Sequence, residues 1–258
     1  MYWEQQPDVL NEAVSRAMTR KKFEDILRYF HIADNKALAE NDKYAKVRPL
    51  LAALNERWLL FKPSDGHLYI DESMIPYFGK HGAKQHIHGK PIRFGYKMWS
   101  MATPMGYLIQ GEPYQGAATG YCIPELGMGG SVVVDLISEL PRNQKYCLYF
   151  DNLITSLPLL DHLSSHGFGA TGTVLINRTK KAPLKNPKDM SKQDRGSHFC
   201  VKDKNSDVIL VQWHDNSIIT VTSNCHSVQP VGQVRRWSSK EKKIVYENQP
   251  HVIGAHNK

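Results

Sequence analysis

Two stretches decide the reading of this chain: His67-Leu-Tyr-Ile-Asp71-Glu-Ser-Met74 and Tyr146-Cys-Leu-Tyr-Phe-Asp151-Asn152. Each carries a few leucine, isoleucine, tyrosine or phenylalanine residues straight into an aspartate. Runs of this length and composition predict buried strands. Aspartate is depleted in strand interiors and rarely buried without a partner, yet Asp71 and Asp151 each close an apolar run at once. Thr155-Ser-Leu-Pro-Leu-Leu-Asp-His-Leu-Ser-Ser-His166-Gly167 follows the second run. There Ser156 suits a helix N-cap, Pro158 a first turn and Gly167 a stop, with Leu157, Leu160 and Leu163 as the apolar stripe. Asp151 is thus expected at the carboxyl end of a strand that feeds a helix, where open α/β sheets hold their ligands. With Asp71 on a neighbouring strand, the two carboxylates can share a divalent cation. Taken singly, each Asp also fits a cap or a turn.

The 258 residues are enough for one large domain or two small ones with a hydrophobic core. A net charge of +8 and a pI near 9.2 lean towards a polyanionic partner. Four cysteines, Cys122, Cys147, Cys200 and Cys225, lie far apart with no CxxC, and no secretory apolar segment opens the chain. Reduced thiols in an intracellular, soluble protein are the expectation. No run reaches the roughly 18 apolar residues of a membrane span.

Residues 1–60 read as helical. Leu10, Ala13, Val14, Ala17 and Met18 make one stripe, Phe23, Ile26, Leu27 and Phe30 a second, and Val47, Leu50, Leu51, Leu54 and Trp58 a third. Arg20, Lys21 and Lys22 at the junction suit phosphate or simply a solvated surface. Lys62-Pro-Ser-Asp-Gly66 is a turn cluster and marks a boundary. Strand patterning then takes over, with strands expected at Leu68 to Ile75, Tyr96 to Met101 and Tyr107 to Tyr114. Between the first two lies a Gly-rich segment carrying Lys80, Lys84, Lys90, Arg93 and Lys97 with aromatics interleaved. Its glycines let backbone approach a ligand closely, and its cations can follow a phosphate chain; the alternative is a basic hairpin in solvent. His81, His86 and His88 in the same segment have no cysteine or carboxylate beside them in sequence and make a poor metal site.

Gly127-Met-Gly-Gly130 precedes a helix expected over Val132 to Leu140, with Ser131 as its cap. GxGxxG and GKS/T are both missing, so the glycines read as a turn rather than a phosphate cradle. A further strand is expected at Gly169 to Ile176, then a lysine-rich loop over Asn177 to Gly196. Val208 to Trp213 and Ile218 to Ser223 read as a hairpin turning at His214-Asp-Asn-Ser217. His198, Cys200, Cys225 and His226 offer zinc ligands, although their spacing matches no compact zinc motif. Arg235 to Lys243 is another basic run.

The motifs, taken together, resemble one family. Ile70-Asp-Glu-Ser-Met74, Lys90-Pro-Ile-Arg-Phe-Gly-Tyr-Lys97, Phe150-Asp-Asn-Leu-Ile-Thr-Ser156 and Gly172-Thr-Val are similar to segments of the piggyBac transposases and their transposable-element-derived relatives. Met18-Thr-Arg-Lys-Lys-Phe-Glu-Asp-Ile26 and Lys46-Val-Arg-Pro-Leu-Leu51 extend the likeness over nearly the whole chain. The resemblance implies an α/β fold: a helical dimerisation and DNA-binding region over 1–65, an RNase H-like core over 66–178, a β-rich insertion over 179–244, and the start of a second core segment over 245–258. It implies Asp71 and Asp151 as catalytic, metal-binding residues, Mg²⁺ or Mn²⁺ as cofactor, and double-stranded DNA (transposon ends and a TTAA target) as partner. A homodimer and a nuclear location go with it. The family's third catalytic Asp lies in a Gly-Gly-Val-Asp segment shortly after a motif like Glu247-Asn-Gln-Pro-His251…Ala255-His-Asn-Lys258. The sequence stops before that segment, so the expectation is an incomplete or inactive transposase copy. The alternative is a host-adopted DNA-binding relative without catalysis.

Overall fold

The computed structural model describes residues 2–4, 6, 8–116, 122–239 and 241–257. Two compact units divide the chain, Met1–Ala53 and Leu54–Lys258.

The first unit holds α1 (Glu12–Ala17) and α2 (Arg20–Tyr29), and α3 (Arg48–Leu60) begins in it. The α1 stripe yields only six helical residues, because Asn11 caps it through the Val14 N–H and Met18 returns to extended backbone. Thr19 then caps α2 through the Lys22 N–H at 3.3 Å. The apolar residues of α2, Phe23, Ile26, Leu27 and Phe30, stay exposed.

In the second unit, the last turns of α3 are tied to a β-sheet. Asn55 exchanges two hydrogen bonds with the Gly111 backbone (3.0 and 3.1 Å), and the Tyr107 hydroxyl donates to the Trp58 carbonyl. The sheet contains β1 (His67–Pro76), β2 (Gln85–His86), β3 (Phe94–Ala102), β4 (Leu108–Pro113), β5 (Cys147–Phe150) and β6 (Gly169–Thr173), followed by β7 (His198–Lys202), β8 (Ile209–His214) and β9 (Ile218–Ser223). β1, β3 and β4 form an antiparallel meander, while β5 and β6 run parallel to β1. The spatial order is β2–β3–β1–β5–β6–β9–β8–β7, with β4 also on β3. The segment read as an insertion therefore continues the core sheet, because β9 pairs antiparallel with β6. A separate ribbon joins β10 (Gly232–Ser238) to β11 (Lys243–Gln249).

Alternation along the strands assigns the faces. Leu68 and Ile70 of β1, Trp99 and Met101 of β3, and Leu148 and Phe150 of β5 form one core with α4 (Gly127–Ile137) and α5 (Leu157–Ser165). The opposite face packs Ile209, Val211, Trp213 and Val221 against Val252 and Ile253 of α7 (His251–His256). A short α6 (Pro187–Met190) interrupts the lysine-rich loop.

Two expectations change. Ser131 lies inside α4 rather than capping it. Its hydroxyl donates to the Gly127 carbonyl (2.6 Å) and accepts from the Ile123 N–H (2.8 Å), tying the preceding turn to the helix. The strand expected to reach Ile176 ends at Thr173 and closes into a 3-10 turn, Ile176–Arg178.

Gly172 supports the Asp151 turn from beneath. A Cβ there would overlap Thr155 Oγ1 and lie 2.8 Å from the Phe150 carbonyl. Gly172→Ala is expected to cost about 1–3 kcal/mol, as overpacking of a filled site does, read from denaturant midpoints. A neutral effect would show that the turn yields freely.

Candidate functional site

Parallel pairing of β1 with β5 sets Ile70 beside Phe150, and the next residue on each chain is an aspartate. Neighbouring strands lie about 4.8 Å apart, so the two acids are close neighbours. Asp151 follows the end of β5, whereas Asp71 is not at a strand end: it stays within β1, paired with Ser100 of β3. Both follow the carboxyl end of the paired segment. Asp71 Oδ1 accepts from the Glu72 N–H at 2.7 Å. Asp151 Oδ1 accepts from the N–H groups of Leu153 (2.9 Å) and Ile154 (3.4 Å), an Asx-type turn that fixes its carboxylate. The Asp151 carbonyl in turn accepts from the Thr155 N–H and hydroxyl. Arg178 Nη1 donates to the carbonyls of Asn152 (2.8 Å) and Leu153 (2.9 Å), pinning the loop after the acid.

Desolvation raises the Asp71 pKa above the ordinary carboxylate value, and repulsion from Asp151 and Glu72 adds to it. The Glu72 N–H and the Lys90 charge oppose the rise. Two acids that repel each other where the β1–β5 pairing stops suit a hard divalent cation, which takes oxygen ligands and needs only one or two carboxylates when waters and phosphate complete its shell. Asp71 and Asp151 are the residues that would hold it.

Beside this pair, the five predicted DNA-contacting cations divide into two groups. Glu72 points to the opposite face from Asp71, and its side chain is only 8% exposed. Lys97 Nζ lies 3.2 Å and Lys90 Nζ 3.6 Å from its carboxylate. Lys97 also sits over the Trp99 ring (4.2 Å) and near the Tyr114 ring (5.2 Å). Its charge is consumed inside the fold. Lys84 donates to the carbonyls of Gly79 (3.0 Å) and Phe78 (3.4 Å) and lies over Phe94. Lys80 and Arg93 are exposed, and their side chains make no hydrogen bond or ion pair among the described residues. Burial thus selects two of five cations that sequence spacing alone treats alike.

Elsewhere, His81 accepts from the Ala83 N–H and His86 stacks on Phe94 at 4.5 Å, and neither joins a group of three close ligating side chains among the described residues. The zinc set read from sequence is corrected. Cys225 and His226 gather with Cys147, whereas His198 and Cys200 lie on β7, outside that group. Cys147 was missed because it contacts Cys225 only across β6. Arg178 and His256 carried no local signal either; the His256 ring nitrogen reaches the Phe150 carbonyl at 3.3 Å, next to Asp151. Asp215 is a turn residue that accepts from Arg195 (Nε, 2.9 Å) and Arg236 (Nε, 3.0 Å), which removes Arg236 from the free basic run.

The sheet order, with one acid in β1 and one just after β5 at neighbouring positions, is that of an RNase H-like fold. A cryo-EM structure of the piggyBac transposase synaptic complex with hairpin DNA superposes with a TM-score of 0.70, covering 95% of this chain and 51% of that one at 22% identity. That likeness shows the fold. The sequence profile of the family described as Transposase IS4 matches residues 1–258. Human piggyBac transposable element-derived protein 3 is 42% identical over the whole chain, and human piggyBac transposable element-derived protein 2 is 38% identical over 98% of it. The chain spans 44% and 43% of their lengths, respectively. It belongs to the piggyBac family of transposases and transposase-derived proteins, and transposases of this DDE type generally work with divalent metal ions.

A carboxyl whose pKa is raised by folding binds more protons in the folded chain than in the unfolded one, so its contribution to stability falls as pH rises through that window. Asp71→Asn is expected to melt above wild type at about pH 7 and to lose that advantage near pH 3, where both forms are uncharged. Millimolar Mg²⁺ is expected to raise the wild-type melting temperature, and the rise should vanish in Asp71→Asn and Asp151→Asn. A Mg²⁺ shift that survives both substitutions would place the cation elsewhere.

Proposed function

We propose that this chain carries the core of a piggyBac-type DDE transposase, acting on DNA phosphodiesters with Mg²⁺ or Mn²⁺ held by Asp71 and Asp151. The observation that carries the reading is the adjacency of these two acids, each one residue past the last β1–β5 pair, Ile70–Phe150. When bound, divalent cations activate an in-line oxygen nucleophile and stabilise the leaving oxygen. The protein's part is positional. Leu153 and Ile154 N–H groups hold the Asp151 carboxylate, Arg178 fixes the loop behind it, and the Glu72 N–H orients Asp71. Lys80 and Arg93, exposed on the adjoining segment, are the cations left for a phosphate backbone. Transposon-end duplexes as substrate, a TTAA target, a homodimeric assembly and a nuclear location belong to the same proposal.

A second reading draws on the relatives, whose names describe transposable element-derived proteins. In that reading the chain is a host-adopted DNA-binding protein that keeps the basic surface without the chemistry.

Strand cleavage separates the two. A polypeptide extending this chain through a Gly-Gly-Val-Asp segment is expected to nick terminal-repeat duplex in Mn²⁺ and to lose nicking on Asp151→Ala; residues 1–258 alone should bind but not nick. Binding without nicking by the extended polypeptide would favour the host-adopted reading. Nicking by residues 1–258 that Asp151→Ala abolishes would show that two acids suffice.

Duplex affinity measured against salt gives an independent check. Lys80→Ala with Arg93→Ala should lower the log–log salt slope by roughly 0.9 per lost phosphate contact. Lys97→Ala should leave the slope unchanged while costing about 1–3 kcal/mol of stability, because Glu72 loses its closest countercharge. The reverse pattern would assign DNA contact to Lys97.

A further inference from the structure

At the opposite end of β5 from Asp151 lies a second cluster. Cys147 opens β5 and pairs with Gly169 of β6. On the other side of β6, Thr171 pairs with Ser223, and the antiparallel register brings Cys225 alongside Gly169. The two cysteines therefore flank a glycine across three neighbouring strands. A Cβ on Gly169 would lie 2.9 Å from Cys225 Sγ and 3.1 Å from Cys147 Sγ, so both sulfurs lean into the space that the missing side chain leaves. His226 completes the group: one ligand atom from each of Cys147, Cys225 and His226 lies within 4.8 Å of the others.

The surroundings fix this arrangement. The Ser223 hydroxyl accepts from the N–H groups of Cys225 (3.2 Å) and His226 (2.9 Å), folding the loop back over the sheet. Tyr149 OH lies 2.9 Å from His226 Nε2 and 2.9 Å from His67 Nδ1. One consistent set of protons has His226 Nε2–H donating to Tyr149 and the Tyr149 hydroxyl donating to His67. His226 Nδ1 then keeps its lone pair. Histidines that ligate metals hold their other nitrogen by such a bond, which sets the tautomer.

We infer that Cys147, Cys225 and His226 form a zinc site, a Cys₂His set with a fourth position open to water. Two thiolates and an imidazole are the ligands Zn²⁺ prefers, at about 2.3 Å from sulfur and 2.0–2.1 Å from nitrogen, and atoms within 4.8 Å of one another can close on one ion. A disulfide is the competing use of two nearby thiols. Two strand spacings separate the cysteine backbones by about 9–10 Å, beyond the roughly 7 Å limit for a bridge without backbone movement. A metal spans that gap where an S–S bond does not. The site lies roughly 13 Å along β5 from Asp151, at about 3.3 Å per residue, and its soft donors differ from the carboxylates there. Bound zinc would clip the first residue of β5 to the loop after β9, joining the parallel core to the strands that extend it.

The test uses the whole chain, reduced with a phosphine and stripped with chelator, then titrated with Co²⁺ and back-titrated with Zn²⁺. One equivalent of Co²⁺ is expected to give a thiolate-to-cobalt charge-transfer band with tetrahedral d–d absorption, both erased by Zn²⁺. The bands should be lost in Cys147→Ser, Cys225→Ser and Gly169→Ala, and kept in the Cys122→Ser, Cys200→Ser double variant. Tyr149→Phe should weaken binding roughly 10–100-fold, as loss of an orienting partner does. An assay on the wild-type chain avoids dependence on variants that fold poorly. Zn²⁺ should protect Cys147 and Cys225 from iodoacetamide, mapped by peptide mass, while Cys122 and Cys200, both exposed, react. No stoichiometric Co²⁺ spectrum, a spectrum that survives loss of both ligand cysteines in folded protein, or equal alkylation of all four thiols with Zn²⁺ present would overturn the inference.

Discussion

The register between β1 and β5 is the constraint on which the acid site depends. Four consecutive pairs, from His67–Cys147 to Ile70–Phe150, hold two strands parallel and in register. A slip of one residue would turn every side chain of one strand to the other face. Leu68, Ile70, Leu148 and Phe150 would then leave the core beneath α4 and α5, and that loss of buried apolar area fixes the register. Asp71 and Asp151 inherit their adjacency from this packing. Their mutual repulsion is small beside the burial that imposes it, so the chain can keep two acids side by side without a ligand. Repulsion of this kind, offset by a well-packed core behind it, is what a cation site requires before the cation arrives.

The same alternation sorts the charges around the site. Glu72 follows Asp71 and so faces the core side, where it is largely shielded from solvent. A carboxylate there needs countercharge, and Lys97 and Lys90 supply it. Their role is to make Glu72 tolerable, and the stacking of Lys97 on Trp99 adds to the same end. What remains outward in this segment is Lys80 and Arg93. A dense basic motif thus gives a thinner electrostatic surface than its composition implies, because part of it is neutralised within the fold.

Much of the architecture was legible because local and global preferences agree. The strand before Asp151, the capped helix after it and the hairpin turning at Asp215 all appear where their patterns put them, while Asp71 lies inside β1 because β3 keeps pairing with that strand as far as Pro76. The misses share a cause. β7, β10 and β11 alternate exposed with half-buried residues and carry charges or aromatics on their open sides, so no apolar run announces them. α7 is six residues long and offers Val252 and Ile253 to a core built from strands some thirty residues earlier. Among site residues, the two aspartates were visible because each closes its own apolar run, although β1 continues past Asp71 to Pro76 and only β5 stops before its acid. Arg178 acts through backbone carbonyls, and Cys147 acts across an intervening strand. Neither kind of relation leaves a spacing in the sequence.

The face of the sheet that holds these features links its two ends through one helix. α7 begins at His251, whose ring stands 5.4 Å from that of His226, and closes with His256 against the Phe150 carbonyl. Between them Val252 and Ile253 are buried on Trp213 and Val221, which holds the helix in place along the strands. His256 meets β5 at the residue before Asp151, while His226 meets Tyr149 two residues earlier in the same strand. Order at the cysteine end therefore reaches the acid end by two rigid routes, β5 itself and α7 packed over it. Ligand chemistry keeps the two ends apart nonetheless: sulfur and imidazole select a soft or borderline cation, whereas paired carboxylates open to water select a hard one. A single strand can thus carry a structural anchor at its start and a reactive carboxylate at its end without either site competing for the other's ion.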